Sequence, residues 1–305
     1  MEVSQQSGIY GTPLPELAPM PTAAQQFSPL MPGAQSLENC LPGSLGSFVL
    51  QAPPGTVERR YVMALALRAL APIGEITVLA PKDRGGTRLM DELENLGCQP
   101  TQTARRHHKI CTLLRPARLE GIDQAIAEGA PRIVEGLGLW SQPGLFNWDR
   151  TDPGSVLLSQ HLPEFAGHGA DFGCGFGFLA LKVLTGPKVK SLTLIDIDRR
   201  AVEAAAHNFN DPRISTRWAD VRKLGISPNG LDFIVMNPPV HEAGEEDRGL
   251  GQTFIREAAA RLRQSGTLWL TANRHLPYEA VLKPLFRRIR PVADAGGFKI
   301  VEAQK

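Results

Sequence analysis

Residues 231–240 read Leu-Asp-Phe-Ile-Val-Met-Asn-Pro-Pro-Val, an apolar run that leads directly into two prolines. The segment from Phe233 to Met236 has the short, apolar, β-branched character of a buried parallel strand. The strand must stop at the prolines, because proline has no N–H to donate to a neighbouring strand. Asn237 is therefore predicted to lie at the carboxyl end of a strand, the edge at which open α/β sheets bind ligands.

The Asn237-Pro238-Pro239 motif offers two hydrogen-bond acceptors in a fixed arrangement. The prolines restrict the backbone, so the Asn237 amide and the Pro238 carbonyl are expected to face one spot. Two acceptors suit a planar amino group, such as a nucleobase amine or a glutamine amide, while its nitrogen attacks an electrophile. A proline-rich turn after a core strand is the alternative interpretation. The candidate catalytic residues are these three and the following Val240.

A glycine-rich turn precedes this motif at residues 170–179, which read Ala-Asp-Phe-Gly-Cys-Gly-Phe-Gly-Phe-Leu. The pattern predicts a strand, a turn and the start of a helix. Gly173, Gly175 and Gly177 are spaced differently from the dinucleotide fingerprint, which disfavours NAD and FAD, and the Lys-Ser/Thr pair of a P-loop does not follow. Asp171, just before the turn, can bind an amino group. The site therefore suits the methionine end of S-adenosylmethionine better than a phosphate, although a glycine turn can also be purely structural.

Two more acidic residues extend the predicted cofactor site. Residues 191–195 predict a second strand, and Asp196 at its end can accept hydrogen bonds from both ribose hydroxyls. Residues 214–218 predict a third strand, after which Asp220 would face the adenine amino group. Either aspartate could instead cap a helix or begin a loop. The order of the glycine turn, Asp196, Asp220 and Asn237 favours the cofactor interpretation.

These residues resemble the class I S-adenosylmethionine-dependent methyltransferases of the Asn-Pro-Pro type. Further segments are similar to the bacterial guanine-N2 methyltransferases of small-subunit ribosomal RNA. They are Gln142-Pro143-Gly144-Leu145-Phe146, Asp152-Pro153-Gly154-Ser155-Val156-Leu157-Leu158, His161-Leu162-Pro163, Ala272-Asn273-Arg274-His275-Leu276-Pro277-Tyr278 and Gly297-Phe298-Lys299-Ile300. The resemblance covers roughly residues 45–305.

The resemblance implies an α/β fold with tandem Rossmann-like methyltransferase domains. The C-terminal half would contain a seven-stranded, mostly parallel sheet, and the N-terminal copy would be degenerate. The implied activity is methylation of the exocyclic N2 amine of a guanine in small-subunit ribosomal RNA, with S-adenosylmethionine as the methyl donor. The implied partner is ribosomal RNA or the small ribosomal subunit.

One position departs from the family pattern. The residue after the two prolines is usually phenylalanine in the family, and here it is Val240. A phenyl ring would stack on the target base, a contact worth about 1–3 kcal/mol. Valine retains only apolar contact, and Phe176, Phe178 or Trp148 are candidates to replace the ring. His241 is a candidate helper, with a turn-stabilising role as the alternative.

The chain is expected to form two domains after a proline-rich arm. Its 305 residues, 42% of them hydrophobic, are enough for two cores. Residues 1–44 are rich in Pro, Gln and Ser and predict an extended arm. Residues 45–140 are expected to form the degenerate domain, which would bind the RNA substrate or support the second domain. Residues 141–305 are expected to form the catalytic domain.

Within the first domain, the strand-helix-strand pattern of residues 47–80 resembles that of residues 170–208. On this alignment Gln51-Ala52-Pro53-Pro54-Gly55 replaces the glycine turn and Ala80-Pro81 replaces the ribose-binding acid, so the cofactor site is predicted to be lost. Two basic clusters could lie on one edge of this domain and contact RNA phosphates, although solvated loop charges give the same pattern. They are Lys82, Arg84 and Arg88, and Arg105-Arg106-His107-His108-Lys109.

Composition excludes several other classes of protein. The sequence has no apolar stretch that could span a bilayer and no secretory signal pattern at its start, so a cytoplasmic location and no membrane contact are expected. Four cysteines without a Cys-x-x-Cys pair indicate neither a disulfide framework nor a zinc site, and no metal is expected. The formal net charge of +2 is close to zero, so charge position matters more than the total. A monomer is expected.

Three other functions remain compatible with the motifs. The first is methylation of adenine N6 or cytosine N4 in DNA, for which an aromatic residue after the prolines is expected. The second is methylation of a glutamine N5 atom in a protein, against which the degenerate first domain and Pro277-Tyr278 argue. The third is a non-catalytic RNA-binding or assembly protein, in which Val240 would mark lost catalysis.

Overall fold

The computed structural model describes residues 6–225, 229–239, 241–242, 245–246 and 248–305. The chain divides into two compact units, residues 1–131 and residues 132–305. The boundary precedes the predicted one at residue 140, because a short hairpin that begins at residue 132 packs within the second unit. No helix in the described ranges is long and apolar enough to cross a membrane.

Unit 1 is built on a sheet that has six strands within the described ranges. They are β1 (Gln6–Tyr10), β2 (Gln25–Gln26), β3 (Leu45–Gln51), β4 (Leu70–Pro81), β5 (Thr101–Arg105) and β6 (His108–Leu114). The sheet order is β2-β1-β3-β4-β6-β5, in which the first four strands are parallel and β6 is antiparallel to both of its neighbours. The helices are α1 (Thr56–Ala69), α2 (Leu89–Glu94) and α3 (Ile122–Gly129), with a 3-10 turn at Gly86–Arg88.

Residues 6–44 are part of unit 1 rather than a separate arm. β1 pairs in parallel with β3, and β2 pairs in parallel with β1. Tyr10, Leu17, Phe27 and Leu37 are buried in the core of the unit. The prolines exclude a long helix, as predicted, but an extended chain can still add a strand to a sheet and pack its apolar side chains.

Unit 2 contains a seven-stranded sheet within the described residues. Its strands are β9 (Ala166–Phe172), β10 (Lys188–Asp196), β11 (Ile214–Trp218), β12 (Leu231–Met236), β15 (Leu262–Asn273), β16 (Arg288–Ala295) and β17 (Phe298–Gln304). The order is β11-β10-β9-β12-β15-β17-β16, and only the pairs formed by β17 are antiparallel among them. The mostly parallel seven-stranded sheet is thereby confirmed.

The remaining elements of unit 2 surround this sheet. Two hairpins pair β7 (Arg132–Val134) with β8 (Leu139–Ser141), and β13 (His241–Glu242) with β14 (Glu245–Glu246). The helices are α4 (Pro153–His161), α5 (Phe178–Val183), α6 (Arg199–Asn208), α7 (Arg248–Arg261) and α8 (Glu279–Leu282), with a 3-10 turn at Val221–Lys223. The chain leaves β9 toward β10 on one side and reaches β12 on the other. The carboxyl ends of β9 and β12 therefore form a topological switch point, where such sheets bind ligands.

The sheets of the two units repeat one pattern. The order β1-β3-β4-β6-β5 in unit 1 has the same strand directions as β9-β12-β15-β17-β16 in unit 2. The register even breaks at the same place. Leu45↔Leu70 is followed by Ser47↔Glu75 in unit 1, and Leu231↔Leu262 is followed by Phe233↔Thr267 in unit 2. The tandem arrangement predicted for the chain is thus visible in the backbone pairing.

This pairing corrects the predicted alignment of the two copies. Since β3 corresponds to β12 and not to β9, Gln51-Ala52-Pro53 matches Asn237-Pro238-Pro239, not the glycine turn. Similarly, Pro81 matches Asn273 rather than the ribose-binding acid. Every pair of parallel strands in such a fold is joined by the same strand-helix-strand pattern. The sequence pattern of β3, α1 and β4 therefore could not tell which strands of unit 2 they correspond to. The strand pairing decides the question: β4 has an antiparallel neighbour, β6, as β15 has β17, whereas both neighbours of β10 are parallel to it.

Tight aromatic packing holds the central strands of unit 2. Phe233 of β12 stacks on Phe165 with ring centroids 4.2 Å apart, and Trp269 of β15 meets Phe165 edge-on at 6.4 Å. On β9, a Cβ atom added at Gly169 would lie 2.2 Å from the Phe233 ring. Glycine at this position therefore lets the Phe233 ring pack directly against the backbone of β9.

We expect Gly169→Ala to destabilise unit 2 by about 1–3 kcal/mol, the usual cost of forcing a methyl group into a packed core. Gly136→Ala is the matched control, because a Cβ atom there would meet nothing within 4 Å and the residue is exposed. Thermal unfolding of both variants tests this prediction. An unchanged Tm for Gly169→Ala would show that the Phe233 ring can move at little cost.

Candidate functional site

The glycine turn after β9 depends on backbone conformations that favour glycine. Gly173, Gly175 and Gly177 have φ angles of 75°, 53° and 92°, in the left-handed region. Gly177 also packs against Phe209, whose ring would lie 2.5 Å from an added Cβ atom. At Gly175, in contrast, an added Cβ atom would meet nothing within 4 Å. The turn thus presents bare backbone to open space at the carboxyl edge of the sheet.

Asp171, near the end of β9, is a buried carboxylate without a partner. Its side chain is 0% exposed, and neither oxygen has a hydrogen bond within the described structure. Burial, and secondarily the charge of Asp196, raise the pKa of Asp171 to about 8. Such an environment is costly for an unpaired charge, and a group that brings a positive charge or several N–H donors would relieve the cost.

Asp196 ends β10 as predicted and braces the glycine turn. Its Oδ2 atom accepts a hydrogen bond from the Gly175 N–H at 2.9 Å, and its Oδ1 atom accepts one from the Asp198 N–H at 2.9 Å. Desolvation raises the pKa of Asp196 to about 6, against the effect of these hydrogen bonds. A carboxylate has about four lone-pair sites, so acceptor capacity remains for a ligand.

Asp220 lies just beyond β11 and begins the 3-10 turn at Val221–Lys223. Its Oδ1 atom accepts hydrogen bonds from the backbone N–H and from Nε of Arg222, both at 2.9 Å. Burial would raise the pKa of Asp220, but the bonds to Arg222 outweigh burial and the pKa is lowered. The Ala219 N–H donates to the Asp196 carbonyl at 2.9 Å, which joins the ends of β10 and β11. The two predicted acids therefore lie on the same edge.

Asn237 follows β12 directly, and its side-chain nitrogen is fully engaged. Nδ2 donates to Asp152 Oδ2 at 2.8 Å and to Ser155 Oγ at 2.9 Å. A carboxylate can only accept, so this contact fixes which end of the amide is nitrogen. No described residue donates a hydrogen bond to Asn237 Oδ1, which leaves that oxygen as an acceptor.

The structure brings the Asn-Pro-Pro motif and the glycine turn together. A Cβ atom built at Gly173 would lie 4.0 Å from both the Asn237 carbonyl oxygen and Pro239 Cδ. Pro238 is buried and Pro239 is partly buried. Val240 lies outside the described residues, and for His241 only the backbone is described. Of the rings considered as replacements, Phe176 is buried, whereas Phe178 and Trp148 are partly exposed, with the Arg132 guanidinium 4.9 Å from the Trp148 ring centre.

Asp152 and Ser155 are site residues that the sequence reasoning did not select. Asp152 caps α4 by accepting a hydrogen bond from the Ser155 N–H at 2.7 Å. The sequence signal was present, because Asp followed by Pro and Gly predicts a helix start. This local signal could not show that Asp152 lies next to Asn237, because the two residues are far apart in the sequence.

The corresponding position in unit 1 is closed by its own residues. The Gln51 side-chain oxygen accepts a hydrogen bond from the Thr12 N–H at 2.7 Å. The Arg59 guanidinium, 0% exposed, donates to the Pro54 carbonyl at 2.7 Å and pairs with Glu92 at 2.6 Å. By the strand pairing, Ile9 occupies the position of Asp171. Unit 1 therefore lacks both the free acceptor and the buried acid of unit 2.

The two basic clusters of unit 1 meet at the carboxyl end of β4. The Lys82 N–H donates to the His107 carbonyl at 2.8 Å. Residues 105–109 form the tip of the β5–β6 hairpin, and Arg106 pairs with Glu16. Lys82, Arg88 and His107 are exposed. The expectation that both clusters lie on one edge is confirmed by this contact.

Comparison with known proteins decides the family. The sequence profile described as the methyltransferase small domain matches residues 136–302, which is more than half of the chain. The chain belongs to the methyltransferase small domain family. This methyltransferase thus carries its family signature in unit 2, where Asp171, the glycine turn and Asn237 lie.

Relatives and a solved structure cover most of this methyltransferase. A ribosomal RNA small subunit methyltransferase C from Chromohalobacter salexigens is 34% identical over 79% of this chain and 73% of its own length. The protein of the same name from Pseudomonas paraeruginosa is 29% identical over 92% of this chain and 86% of its own length. The structure of a T. thermophilus 16S rRNA N2 methyltransferase with AdoMet and guanosine has a TM-score of 0.77 and covers 98% of this chain and 88% of its own. At 22% identity, that structure shows the fold alone.

The unit 2 site fits an S-adenosylmethionine molecule on the evidence of its own atoms. The orphaned Asp171 carboxylate lacks the donor that an amino group would provide. The bare turn at Gly175 gives backbone access, and Asp196 offers free lone pairs beside it. Among the described residues no cluster of His, Cys, Asp or Glu could hold a metal ion.

The raised pKa of Asp171 predicts a pH-dependent stability. In the unfolded chain the carboxyl ionises near its ordinary pKa of 3.8, but in the folded protein it stays protonated to about 8. The free energy of unfolding therefore falls as pH rises between these values. Asp171→Asn has no such loss, so we expect its Tm to exceed that of the parent by several degrees at pH 8 and by little at pH 4.

Asp211→Asn provides a control of opposite sign. Hydrogen bonds from Arg213 lower the pKa of Asp211 to about 2, so the ionised form stabilises the fold above that value. Its replacement should lower Tm slightly at pH 8 and have little effect at pH 2. Calorimetry of both variants without cofactor across this range checks the signs. A pH-independent difference between Asp171→Asn and the parent would contradict the assignment.

Proposed function

We propose that this protein transfers the methyl group of S-adenosylmethionine to the exocyclic N2 amine of a guanine in small-subunit ribosomal RNA. The observation that carries the proposal is the meeting of Asn237, the glycine turn and the buried acid at one edge of one sheet. The backbone carbonyl of Asn237 lies close to the turn, and its Oδ1 atom accepts no hydrogen bond from a described residue. The family and the names of its relatives support the same reaction class.

Three acidic residues and three glycines of unit 2 are assigned to the cofactor. Asp171 would bind the amino group of the methionine end, and Asp196 the ribose hydroxyls. Asp220, held in place by Arg222, would face the adenine amino group. Gly173, Gly175 and Gly177 would allow the backbone to approach closely. When bound, S-adenosylmethionine supplies a methyl group activated by its sulfonium charge.

Catalysis would rest on orientation and electrostatics. Asn237 Oδ1 and the Pro238 carbonyl would each accept one N–H of the guanine amine and align its nitrogen for in-line attack. Positive charge grows on that nitrogen as the new bond forms, and two preorganised acceptors stabilise it. The proton is lost to solvent afterwards, so no strong general base is needed. Pro239 would hold the strand end rigid.

Unit 1 is proposed to bind the RNA. Its own copy of the site is closed by Gln51 and Arg59, whereas its exposed basic edge suits phosphates. A base in a helix must be extruded before its amine can reach Asn237, at a cost of a few kcal/mol, so a locally opened RNA is the expected substrate. We further infer a monomer, since one chain supplies all the assigned residues, and a cytoplasmic location, since ribosomal RNA is the proposed substrate.

We expect Asn237→Ala to lower kcat for methyl transfer about 10²–10³-fold, because it removes one preorganised acceptor. Cofactor affinity should stay within a few-fold, since Asp171 and the glycine turn are intact. The measurement is tritium transfer from labelled S-adenosylmethionine to ribosomal RNA and to small subunits from a deletion strain, followed by nucleoside analysis. Asn229→Ala, at an exposed residue, is the control.

The products distinguish the alternatives. Label in N2-methylguanosine establishes the guanine assignment, whereas label in another nucleoside or in a glutamine replaces it. Cofactor binding without label in either RNA would overturn the proposed function and favour a non-catalytic binding role.

The RNA-binding role predicts a change in salt dependence. Lys82→Ala combined with Arg88→Ala should raise KM for RNA several-fold and leave kcat unchanged. The slope of log affinity against log salt should become less negative by about 1.4, or about 0.7 for each lost phosphate contact on single-stranded RNA. Lys188→Ala combined with Lys190→Ala, at the amino end of β10, is the matched control. Equal changes in KM and in the salt slope for both pairs of substitutions would show that the basic edge of unit 1 has no particular role in RNA binding.

A further inference from the structure

We infer that Asp152 and Ser155 are positioning residues that make Asn237 an obligatory acceptor and thereby select an amino group as the methyl acceptor. The inference deepens the proposed function and rests on it for the identity of the substrate. Its basis is the hydrogen-bond network around the Asn237 amide, which belongs entirely to unit 2.

Both amide hydrogens of Asn237 are used inside the protein. One is donated to Asp152 Oδ2 at 2.8 Å, and the other to Ser155 Oγ at 2.9 Å. A carboxamide has two N–H donors, so Nδ2 has none left for a ligand. Rotation of the amide by 180° would place its oxygen against the Asp152 carboxylate, and two acceptors repel. The network therefore fixes Oδ1 as the end of the amide that is left to accept from a ligand.

Asp152 is itself held in place. Its Oδ2 atom accepts from the Ser155 N–H at 2.7 Å, and its Oδ1 atom accepts from Asn147 Nδ2 at 3.1 Å. Asn147 has a left-handed φ of 47°, an uncommon conformation that asparagine tolerates better than most residues. Ser155 is buried, with 8% of its surface exposed. The helix start of α4 thus connects Asn147, Asp152 and Ser155 to the end of β12.

The consequence is a chemical filter. With Nδ2 engaged, the Asn237 side chain can only accept hydrogen bonds, and the Pro238 carbonyl can only accept as well. Two acceptors bind the two N–H groups of an exocyclic amine, but they repel a carbonyl oxygen at the same place. A site with a freely rotating amide would tolerate either group. The network therefore contributes to the choice between an amine and a keto oxygen.

The unit 1 copy shows the opposite arrangement. Gln51, which matches Asn237 in the strand pairing, uses its side-chain oxygen to accept from the Thr12 N–H at 2.7 Å. Its acceptor is consumed, whereas in unit 2 the donors are consumed. The comparison within one chain links the free oxygen to the copy that retains Asp171 and the glycine turn.

The first test is a cycle of substitutions measured by methyl transfer. Asp152→Ser keeps a residue that caps helices but is too short to reach Asn237. Asp152→Ser and Ser155→Ala should each lower kcat about 10–100-fold, the usual effect of losing a partner that orients a site residue. In the Asn237→Ala background the same changes should cost less than twofold, because they act through the absent amide. Asp149→Ser, at an exposed residue of the same loop, should leave kcat unchanged.

The second test does not depend on activity. In ¹H–¹⁵N spectra, the side-chain NH₂ resonances that disappear in Asn237→Ala should exchange with water at least tenfold more slowly than those of exposed Asn229. The protection should be lost in Asp152→Ser and reduced in Ser155→Ala, while Tm stays close to that of the parent.

The outcomes separate the inference from the function on which it rests. If guanine accepts no label from the parent protein, the proposed function fails, and the exchange of the Asn237 amide still decides whether the network exists. If label transfer is normal but Asp152→Ser lowers kcat by the same factor in both backgrounds, Asp152 has a general structural role and the inference is overturned. Fast exchange of the Asn237 NH₂ in the parent would overturn it as well.

Discussion

The pairing of β9 with β12 is the constraint on which the rest of the site depends. Val235 pairs with Asp171 across these parallel strands, so both strands reach the same edge of the sheet at nearly the same level. The glycine turn leaves one strand and the Asn-Pro-Pro motif leaves the other. Without this adjacency, a buried acid and an acceptor amide that are far apart in the sequence would have no reason to meet.

Electrostatics makes the same edge costly to the folded protein and suited to a ligand. Asp171 has no partner within the described structure, and desolvation raises its pKa to about 8. Asp196 lies close enough to contribute to that shift, and desolvation raises its own pKa to about 6. Such a pair destabilises the fold in the absence of a ligand, and it favours any ligand that brings an amino group. Stability given up at a site and regained on binding is a common arrangement in enzymes.

The two units show how one fold gains or loses a site by few changes. Strand order, direction and even the break in register are shared between β3-β4-β6-β5 and β12-β15-β17-β16. The differences lie in the side chains at the strand ends. Ile9 takes the place of Asp171, Gln51 accepts from Thr12, and the buried Arg59 donates to the Pro54 carbonyl. The unit 1 copy thus lacks a free acceptor and a buried acid at these positions, and it has a basic edge instead.

Much of the site was predictable, because its motifs are local. Asp171 and Asp196 lie at strand ends and Asp220 just beyond one, and Asn237 follows β12 directly. Strand and helix limits in unit 2 were close to those observed, since apolar periodicity, glycine and proline determine them. The N-terminal residues and the alignment of the two copies were not predictable in this way, because strand pairing joins segments that are distant in sequence.

The sequence by itself determined the fold class, the motifs of the candidate cofactor site and the chemical type of each candidate residue, because these follow from short-range pattern and residue chemistry. Tertiary structure alone decided three things. Gln51 corresponds to Asn237, residues 6–44 complete a sheet, and Asp152 and Ser155 contact Asn237. The physical reason is the same in each case. Hydrogen bonds between distant segments form only after the sheet has brought their ends together, and a linear pattern carries no record of that distance.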